Sequence, residues 1–282
     1  MFLYDAHNHL QDERFGGRQT ELLAECVRAG VARMVVNGSY GSDWLEVAAL
    51  AGRHPQIVPS FGYHPWYIHE RTTDWLKNLS RFLDEIPSAV GEIGLDRWKP
   101  GLAYDSQEEV FIAQLRIAAE RDLPVSIHCL QAWGRMLEIL KSESRPRCGF
   151  LLHSYGGPRE MVESFAKLGA YFSLPGYYAH ERKERQREAF RAVPPDRLLI
   201  ETDAPDQMLP ETKNAESRMK NLCGGAQIHP LTDPATGKPL NHPANISAVY
   251  AFAATLFNES VETLAARVEE NFLRLFGPAL RR

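Results

Sequence analysis

Cysteine is scarce in this chain. Four occur in 282 residues, Cys26, Cys129, Cys148 and Cys223, and none forms a CxxC pair. That spacing excludes a zinc knuckle or a thioredoxin-type redox pair, and it fits reduced thiols in a cytoplasmic protein. Also missing is any apolar run near the roughly 20 residues needed to cross a bilayer, so no membrane association is expected. The opening Met1-Phe2-Leu3-Tyr4-Asp5 lacks the basic, apolar and cleavage-site order of a secretory leader, and none is expected. There is no excess of positive charge: 32 Lys+Arg stand against 36 Asp+Glu, a formal charge of −4. A broad basic surface for nucleic acid is therefore not advertised. Bound divalent cations would change that balance locally.

What the chain does have is apolar content, 44% of its residues, and a steady alternation. Short β-branched or apolar runs at 2–5, 32–37, 57–63, 89–94, 125–128, 149–153, 170–174 and 198–202 read as strands. Amphipathic stretches at 20–29, 43–53, 75–85, 106–121, 132–142, 159–168 and 181–192 read as helices. Gln114 alone breaks the apolar stripe of the fourth helix. Eight β/α repeats favour parallel strands closed into a barrel over an open doubly wound sheet. The expectation is an α/β protein: one (β/α)8 TIM-type barrel domain over 1–282, with C-terminal helices at 243–276. Residues 204–242, punctuated by proline, break the rhythm and read as a long loop after the eighth strand, a position where lids and binding loops occur. In the tail, Asn258 and Ser260 offer helix-start chemistry.

Polar residues sit where these strands end. His7 and His9 are two apart, so an extended backbone points both the same way. Glu92 follows Val90-Gly91, His128 follows Val125-Ser126-Ile127, His153 follows Phe150-Leu151-Leu152, and Asp203 follows Ile200-Glu201-Thr202. In a barrel these ends converge on one face. A single buried histidine is usually a hydrogen-bonded core residue. Six imidazole and carboxylate groups at converging ends point instead to metal ligation. Six ligands suit two divalent cations better than one. Glu92, on the strand midway in the set, is the candidate bridge. Zn, Mn or Mg all fit such donors.

With those residues in view, the chain resembles the TatD family of metal-dependent hydrolases, within the amidohydrolase-like barrel superfamily. The resemblance rests on Asp5-Ala6-His7-Asn8-His9, Phe61-Gly62-Tyr63-His64-Pro65, Gly91-Glu92-Ile93-Gly94-Leu95-Asp96, Val125-Ser126-Ile127-His128, Leu152-His153-Ser154-Tyr155-Gly156-Gly157 and Glu201-Thr202-Asp203-Ala204-Pro205. Glu270-Asn271-Phe272-Leu273-Arg274-Leu275-Phe276 is similar to the family's closing helix. The resemblance implies a barrel that hydrolyses ester bonds, with nuclease activity on DNA. It implies one metal at His7, His9, Glu92 and Asp203, and a second at Glu92, His128 and His153. His64 matches the histidine of a Gly-x-His-Pro motif beside the site. Two departures bear on substrate rather than ligands. The family's His-Cys-Phe-Ser-Gly is here His153-Ser154-Tyr155-Gly156-Gly157, and the loop beyond Pro205 is longer than usual.

Catalytic roles are assigned to Asp203, Glu92 and His64: Glu92 and Asp203 anchor a water, Asp203 accepts its proton, and His64 positions the scissile group. Glu201, two residues before Asp203, is placed to orient a ligand histidine from behind. Asp96 reads as a structural cap. The charged run at 181–187 reads as a solvated helix face of mixed-sign pairs rather than a phosphate track. Trp66, Tyr67, Tyr155, Tyr177 and Tyr178 follow strand ends and serve equally as base-stacking surfaces or as an apolar rim. The expected substrate is DNA or a small phosphodiester or ester, with no obligate protein partner. Hydrolysis of a carboxylic ester, lactone or amide is the alternative, although Glu92 stands where such barrels often carry a carboxylated lysine. A non-catalytic metal-binding module is the reading from outside enzymes.

Overall fold

A computed structural model describes residues 1–210 and 227–280. Eight strands run in order around one parallel sheet: β1 (Leu3–Asn8), β2 (Val31–Asn37), β3 (Ile57–Phe61), β4 (Ala89–Asp96), β5 (Val125–Leu130), β6 (Phe150–Leu152), β7 (Ala170–Pro175) and β8 (Leu198–Glu201). β1 and β8 meet at the top, where Asp203 N donates to His7 O (2.9 Å) and His9 N donates to Ala204 O (2.8 Å). The sheet thereby curls into the expected barrel. Almost every strand residue is buried, because side chains fill the interior on one face and meet helices on the other.

The intervening helices are α1 (Gln19–Arg28), α2 (Trp44–Arg53), α3 (Trp75–Glu85), α4 (Tyr104–Arg121), α5 (Trp133–Ser142), α6 (Val162–Lys167) and α7 (Glu184–Phe190). The last two are shorter than their periodicity predicts, since each begins with a 3-10 turn, at Arg159–Met161 and Glu181–Lys183. Gln114 is fully buried in α4 and does not break the packing face. Its Oε1 accepts from Tyr63 N (2.7 Å) and its Nε2 donates to Tyr63 O (3.2 Å). The side chain thus pairs both backbone groups of the residue preceding His64. We expect Gln114→Leu to leave two buried groups unpaired, each costing about 1–3 kcal/mol. Urea denaturation should show a lowered midpoint; an unchanged midpoint would mean the clamp contributes nothing.

Two further helices, α8 (Ile246–Phe257) and α9 (Val261–Phe276), follow among the described residues. Phe272 on α9 packs against Tyr4 of β1 with ring centroids 4.9 Å apart. Asn271 Nδ2 reaches the carbonyls of Pro195 and Leu198, both at 2.9 Å. Tyr250 on α8 bonds both backbone groups of Tyr4, at 3.1 and 3.0 Å. Ser260 caps α9, accepting from Thr263 N (3.1 Å). Asn258 does not start a helix. With φ of 55° it ends α8 in the left-handed conformation, which asparagine tolerates better than most residues. Of the 204–242 loop, residues 211–226 lie outside the described residues. The remainder is tied down: Asn241 Nδ2 donates to Thr202 O (2.9 Å), and Thr232 and Pro239 form an antiparallel bridge. None of the described helices is long and apolar enough to cross a membrane.

Candidate metal centre

The six predicted donors and His64 converge at the C-terminal mouth of the barrel. Glu92 is central, and its two oxygens face different partners. Oε2 lies 3.3 Å from His7 Nε2 and 3.1 Å from His9 Nε2. Asp203 Oδ1 joins this side, 3.7 and 3.8 Å from the same nitrogens. Oε1 lies 3.0 Å from His128 Nδ1, 2.9 Å from His153 Nε2 and 3.3 Å from His64 Nε2. All are buried except His9, which is partly exposed.

Local backbone explains the convergence. His7 lies inside β1, and His9 follows its last residue. Asp5 holds this strand to the end of β8 by accepting from Thr202 N (3.0 Å), Thr202 Oγ1 (2.6 Å) and His7 N (3.2 Å). β4 runs four residues beyond Glu92, further than the sequence predicts. Gly94 pairs with His128 on β5, and any Cβ at Gly94 would meet His128 O at 1.9 Å. Only glycine permits that approach, and its φ of +155° is likewise one that other residues rarely adopt.

The outward-facing ring nitrogens decide which histidines can offer a lone pair. His9 Nδ1 meets the carbonyl of Asn37 at 2.8 Å. A carbonyl only accepts, so Nδ1 carries the proton and Nε2 is free to ligate. His128 Nε2 donates to Asp96 Oδ2 (3.1 Å), leaving Nδ1 free toward Glu92. His7 Nδ1 rests against the Asn37 carboxamide at 3.1 Å. The Oδ1 of that amide is buried without a partner. A half-turn of the amide places this acceptor on His7 Nδ1 and leaves Nε2 free. His64 differs. It lies within ligating distance of Glu92 and His128, but Trp66 N donates to its Nδ1 at 3.1 Å. Its proton therefore sits on Nε2, and the ring points an N–H donor, not a lone pair, into the site.

These donors fit a cation. Glu92 Oε1 is buried and makes no well-formed hydrogen bond, though three ring nitrogens surround it, among them the N–H of His64. His7 Nε2 and His9 Nε2 are 3.3 Å apart, as are His128 Nδ1 and His153 Nε2. Two ring nitrogens at that distance need positive charge between them, which a proton or a bound cation supplies. The spacing also matches the edge of a tetrahedron with bonds of about 2.0–2.1 Å, which is about 3.3–3.4 Å.

The residues behind the donors were only partly foreseen. Asp96 ends β4 and does cap the next segment, accepting from Trp98 N (2.6 Å) and Lys99 N (2.9 Å). Its Oδ2 also accepts from Trp66 Nε1 (2.6 Å) and holds His128, so the carboxylate orients a donor as well as a turn. Glu201 Oε1 faces His153 Nδ1 at 3.7 Å, beyond hydrogen-bond distance, and accepts instead from the hydroxyls of Ser154 and Ser173. Asn37 was missed, as was Gln207. Gln207 Nε2 donates to Asp203 Oδ2 (2.7 Å) and Ser154 Oγ (2.6 Å), fixing the carboxylate with Oδ1 toward the histidines. Of the five aromatics, Tyr155 and Tyr178 are buried, their hydroxyls bonded to Pro158 O and Ser154 O at 2.7 Å. They are core, not a stacking surface. Trp66, Tyr67 and Tyr177 remain partly exposed.

Burial and mutual charge perturb the ionisations. Burial would raise the Glu92 pKa, but the imidazoles of His64, His153 and His7 hold it well below the ordinary range. Burial would lower His9, but the hydrogen bond and charge of Glu92 carry it up to about 9. His153 is opposed by burial yet raised well above its ordinary value by Glu92 and Glu201. Burial lifts Asp203 to about 7 and lowers His64 to about 4, so the His64 ring is neutral at pH 7. His9, carried up to about 9, holds a proton at neutral pH, and that proton must leave before the nitrogen ligates. Affinity is therefore expected to rise with pH between 6 and 9, about tenfold per unit for each proton displaced. Calorimetric titration with Mn2+ in buffers of different ionisation heat measures this; a flat affinity would contradict it.

Comparison with known proteins agrees with this architecture. The profile of the family described as TatD related DNase matches residues 4–277. A protein named 3'-5' ssDNA/RNA exonuclease TatD, from Pantoea sp. (strain At-9b), is 30% identical over 97% of this chain and 99% of its own. The uncharacterized metal-dependent hydrolase YjjV of Escherichia coli (strain K12) is 28% identical over 97% of both chains. The crystal structure of the E. coli YjjV protein, a TatD homolog, superposes with a TM-score of 0.84 and 26% identity, covering 98% of each chain. A TatD-family hydrolase structure from Entamoeba histolytica gives 0.84 at 17% identity, covering 99% of each, a likeness of fold.

Proposed function

The chain belongs to the TatD family of metal-dependent hydrolases, and on that premise we propose that it hydrolyses phosphodiester bonds of single-stranded nucleic acid at a dinuclear divalent metal site. The observation that carries this reading is the division of Glu92, one oxygen toward His7, His9 and Asp203, the other toward His128 and His153. One cation would sit on each side with Glu92 shared. Four imidazoles among six donors favour Zn or Mn over Mg. Bound there, divalent cations lower the pKa of a water and offset the charge that develops on phosphate oxygens.

The chain's own groups do the rest. Gln207 fixes Asp203 through Oδ2, so its carboxylate stands ready to accept a proton from the attacking water. Water oxygen adds to phosphorus, the bond from phosphorus to the leaving sugar oxygen breaks, and that oxygen takes up a proton. His64 is neutral and holds its proton at Nε2, fixed by Trp66 N. It is placed to donate a hydrogen bond to a phosphoryl oxygen and is not a metal ligand. A single barrel domain over 1–282 and a cytoplasmic location belong to the same reading. The unpaired thiols of Cys26, Cys129 and Cys148 support the location.

The test is a parallel assay of single-stranded DNA, RNA, a small phosphodiester, a carboxylic ester and a lactone, each with Mg, Mn and Zn. Turnover of the phosphodiesters is expected to exceed that of the carboxyl substrates. Preference for a lactone or ester would replace this reading with the alternative, and no turnover of any substrate would leave a metal-binding module.

A further inference from the structure

A cavity of about 610 Å³ opens beside the metal centre, within the range of about 300–1,000 Å³ usual for small-ligand sites. Tyr177, His180 and Arg182, from the segment after β7, form one wall. Gln207, Met208 and Leu209, from the segment after β8, form another. We propose that this cavity is a nucleotide subsite, in which Tyr177 stacks on the base next to the scissile phosphate and Arg182 and Lys183 take the following phosphate. The inference rests on the nuclease reading above and extends it to this chain's own binding residues.

Three observations carry it. The first is position. Gln207 lines the cavity while its Nε2 bonds Asp203 Oδ2. The occupant is therefore one side chain away from a donor of the metal centre, where the group attached to a reacting phosphate must go. The second is chemistry. Lys183 Nζ lies 4.6 Å from the Tyr177 ring centroid and the Arg182 guanidinium 5.3 Å from it. Arg182 also donates to the Tyr177 hydroxyl. Among the described residues neither cation is paired with a carboxylate, so the expected mixed-sign pairing of the 181–187 run does not occur at these two positions. An aromatic face with adjoining cations is what single-stranded nucleic acid uses, bases on rings and phosphates on charge. Among the described lining residues the one acid, Asp206, is neutralised by Arg14, with bonds of 2.9 and 2.8 Å.

The third observation is that the walls are built. Arg187, also in the charged run, turns inward and donates to the carbonyls of Tyr178 (2.7 Å) and His180 (2.6 Å), bracing the Tyr177 segment. His180 Nε2 meets Met208 O at 3.3 Å and joins the two walls. Tyr177 and Tyr178 are indistinguishable by local pattern. Adjacent in the chain, one faces the cavity and the other the core.

The test uses the full-length protein with chelator present and a fluorescein-labelled oligothymidylate of about ten nucleotides, within the usual range of single-strand site sizes. Anisotropy titration gives affinity, and circular dichroism melting confirms that each variant folds. Tyr177→Ala is expected to weaken binding about 5- to 150-fold, while Tyr177→Phe, which keeps the ring face, stays near wild type. The exposed Arg182→Ala is expected to flatten the slope of log affinity against log salt by about 0.7. Folded variants that bind the strand as wild type does would overturn the subsite, even if the wild type cleaves phosphodiesters. Binding lost with Tyr177→Ala in a wild type that cleaves no phosphodiester would keep the subsite and sink the nuclease reading.

Discussion

Replacing Glu92 by Gln is expected to lower phosphodiester turnover on the order of 10³-fold or more, the scale of the several kcal/mol a bound cation contributes to a transition state. The substitution keeps the shape of the side chain. It removes the negative charge and turns one oxygen into an N–H donor. Whichever way the amide points, one side is affected: either His7 and His9, 3.3 and 3.1 Å from Oε2, or His128 and His153, 3.0 and 2.9 Å from Oε1. An amide nitrogen has no lone pair for a cation. Cation content, measured by mass spectrometry on dialysed protein, should fall with turnover. Activity within tenfold of wild type at equal cation content would remove Glu92 from its central position.

Asp203→Asn is expected to act differently. Asp203 Oδ1 lies farther from the histidines, at 3.7 and 3.8 Å, than Glu92 does. Its other oxygen is held by Gln207. Loss of the carboxylate removes the group placed to take the water's proton, a contribution of about 10²–10⁴ in rate. The fall should appear in kcat, with KM little changed, because substrate binding does not depend on that proton. A rise in KM with kcat preserved would assign Asp203 to substrate binding. Because Asp203 also belongs to the donor set, the two variants are compared at equal cation content, where Asp203→Asn should still be slow through the lost proton acceptor.

Strand order and the convergence of the six candidate side chains were legible in the sequence because both depend on local pattern. Apolar runs of the right length alternate with helical stripes, and each donor follows such a run. The residues behind the donors were harder to see, since their roles depend on neighbouring strands. Asn37 ends β2, and nothing in its own segment shows that its carbonyl faces His9, just after β1, and its amide faces His7 within β1. Asp96 did carry a signal. It lies four residues after Glu92 on one strand, hence on the same side, and the alternation that placed His7 with His9 places Asp96 with Glu92. Gln114 looked like a flaw in an amphipathic stripe because periodicity records polarity and not pairing. A polar side chain that pairs two backbone groups is as much a core residue as a leucine. Asn258 was read as a start because asparagine suits both ends of a helix, and only its φ of 55° separates them.

The seam at the mouth of the barrel has a consequence for biosynthesis. His7 and Asp203, separated by nearly the whole described barrel in sequence, are joined there by a backbone bond, Asp203 N to His7 O. A nascent chain emerging from the ribosome presents His7 and His9 first, yet Asp203 and the strand that aligns them follow only after seven strands have been made. Alignment of these histidines with Asp203 therefore waits for the synthesis of β8, and a polypeptide interrupted after β7 would carry the other five side chains without the seam that sets their spacing.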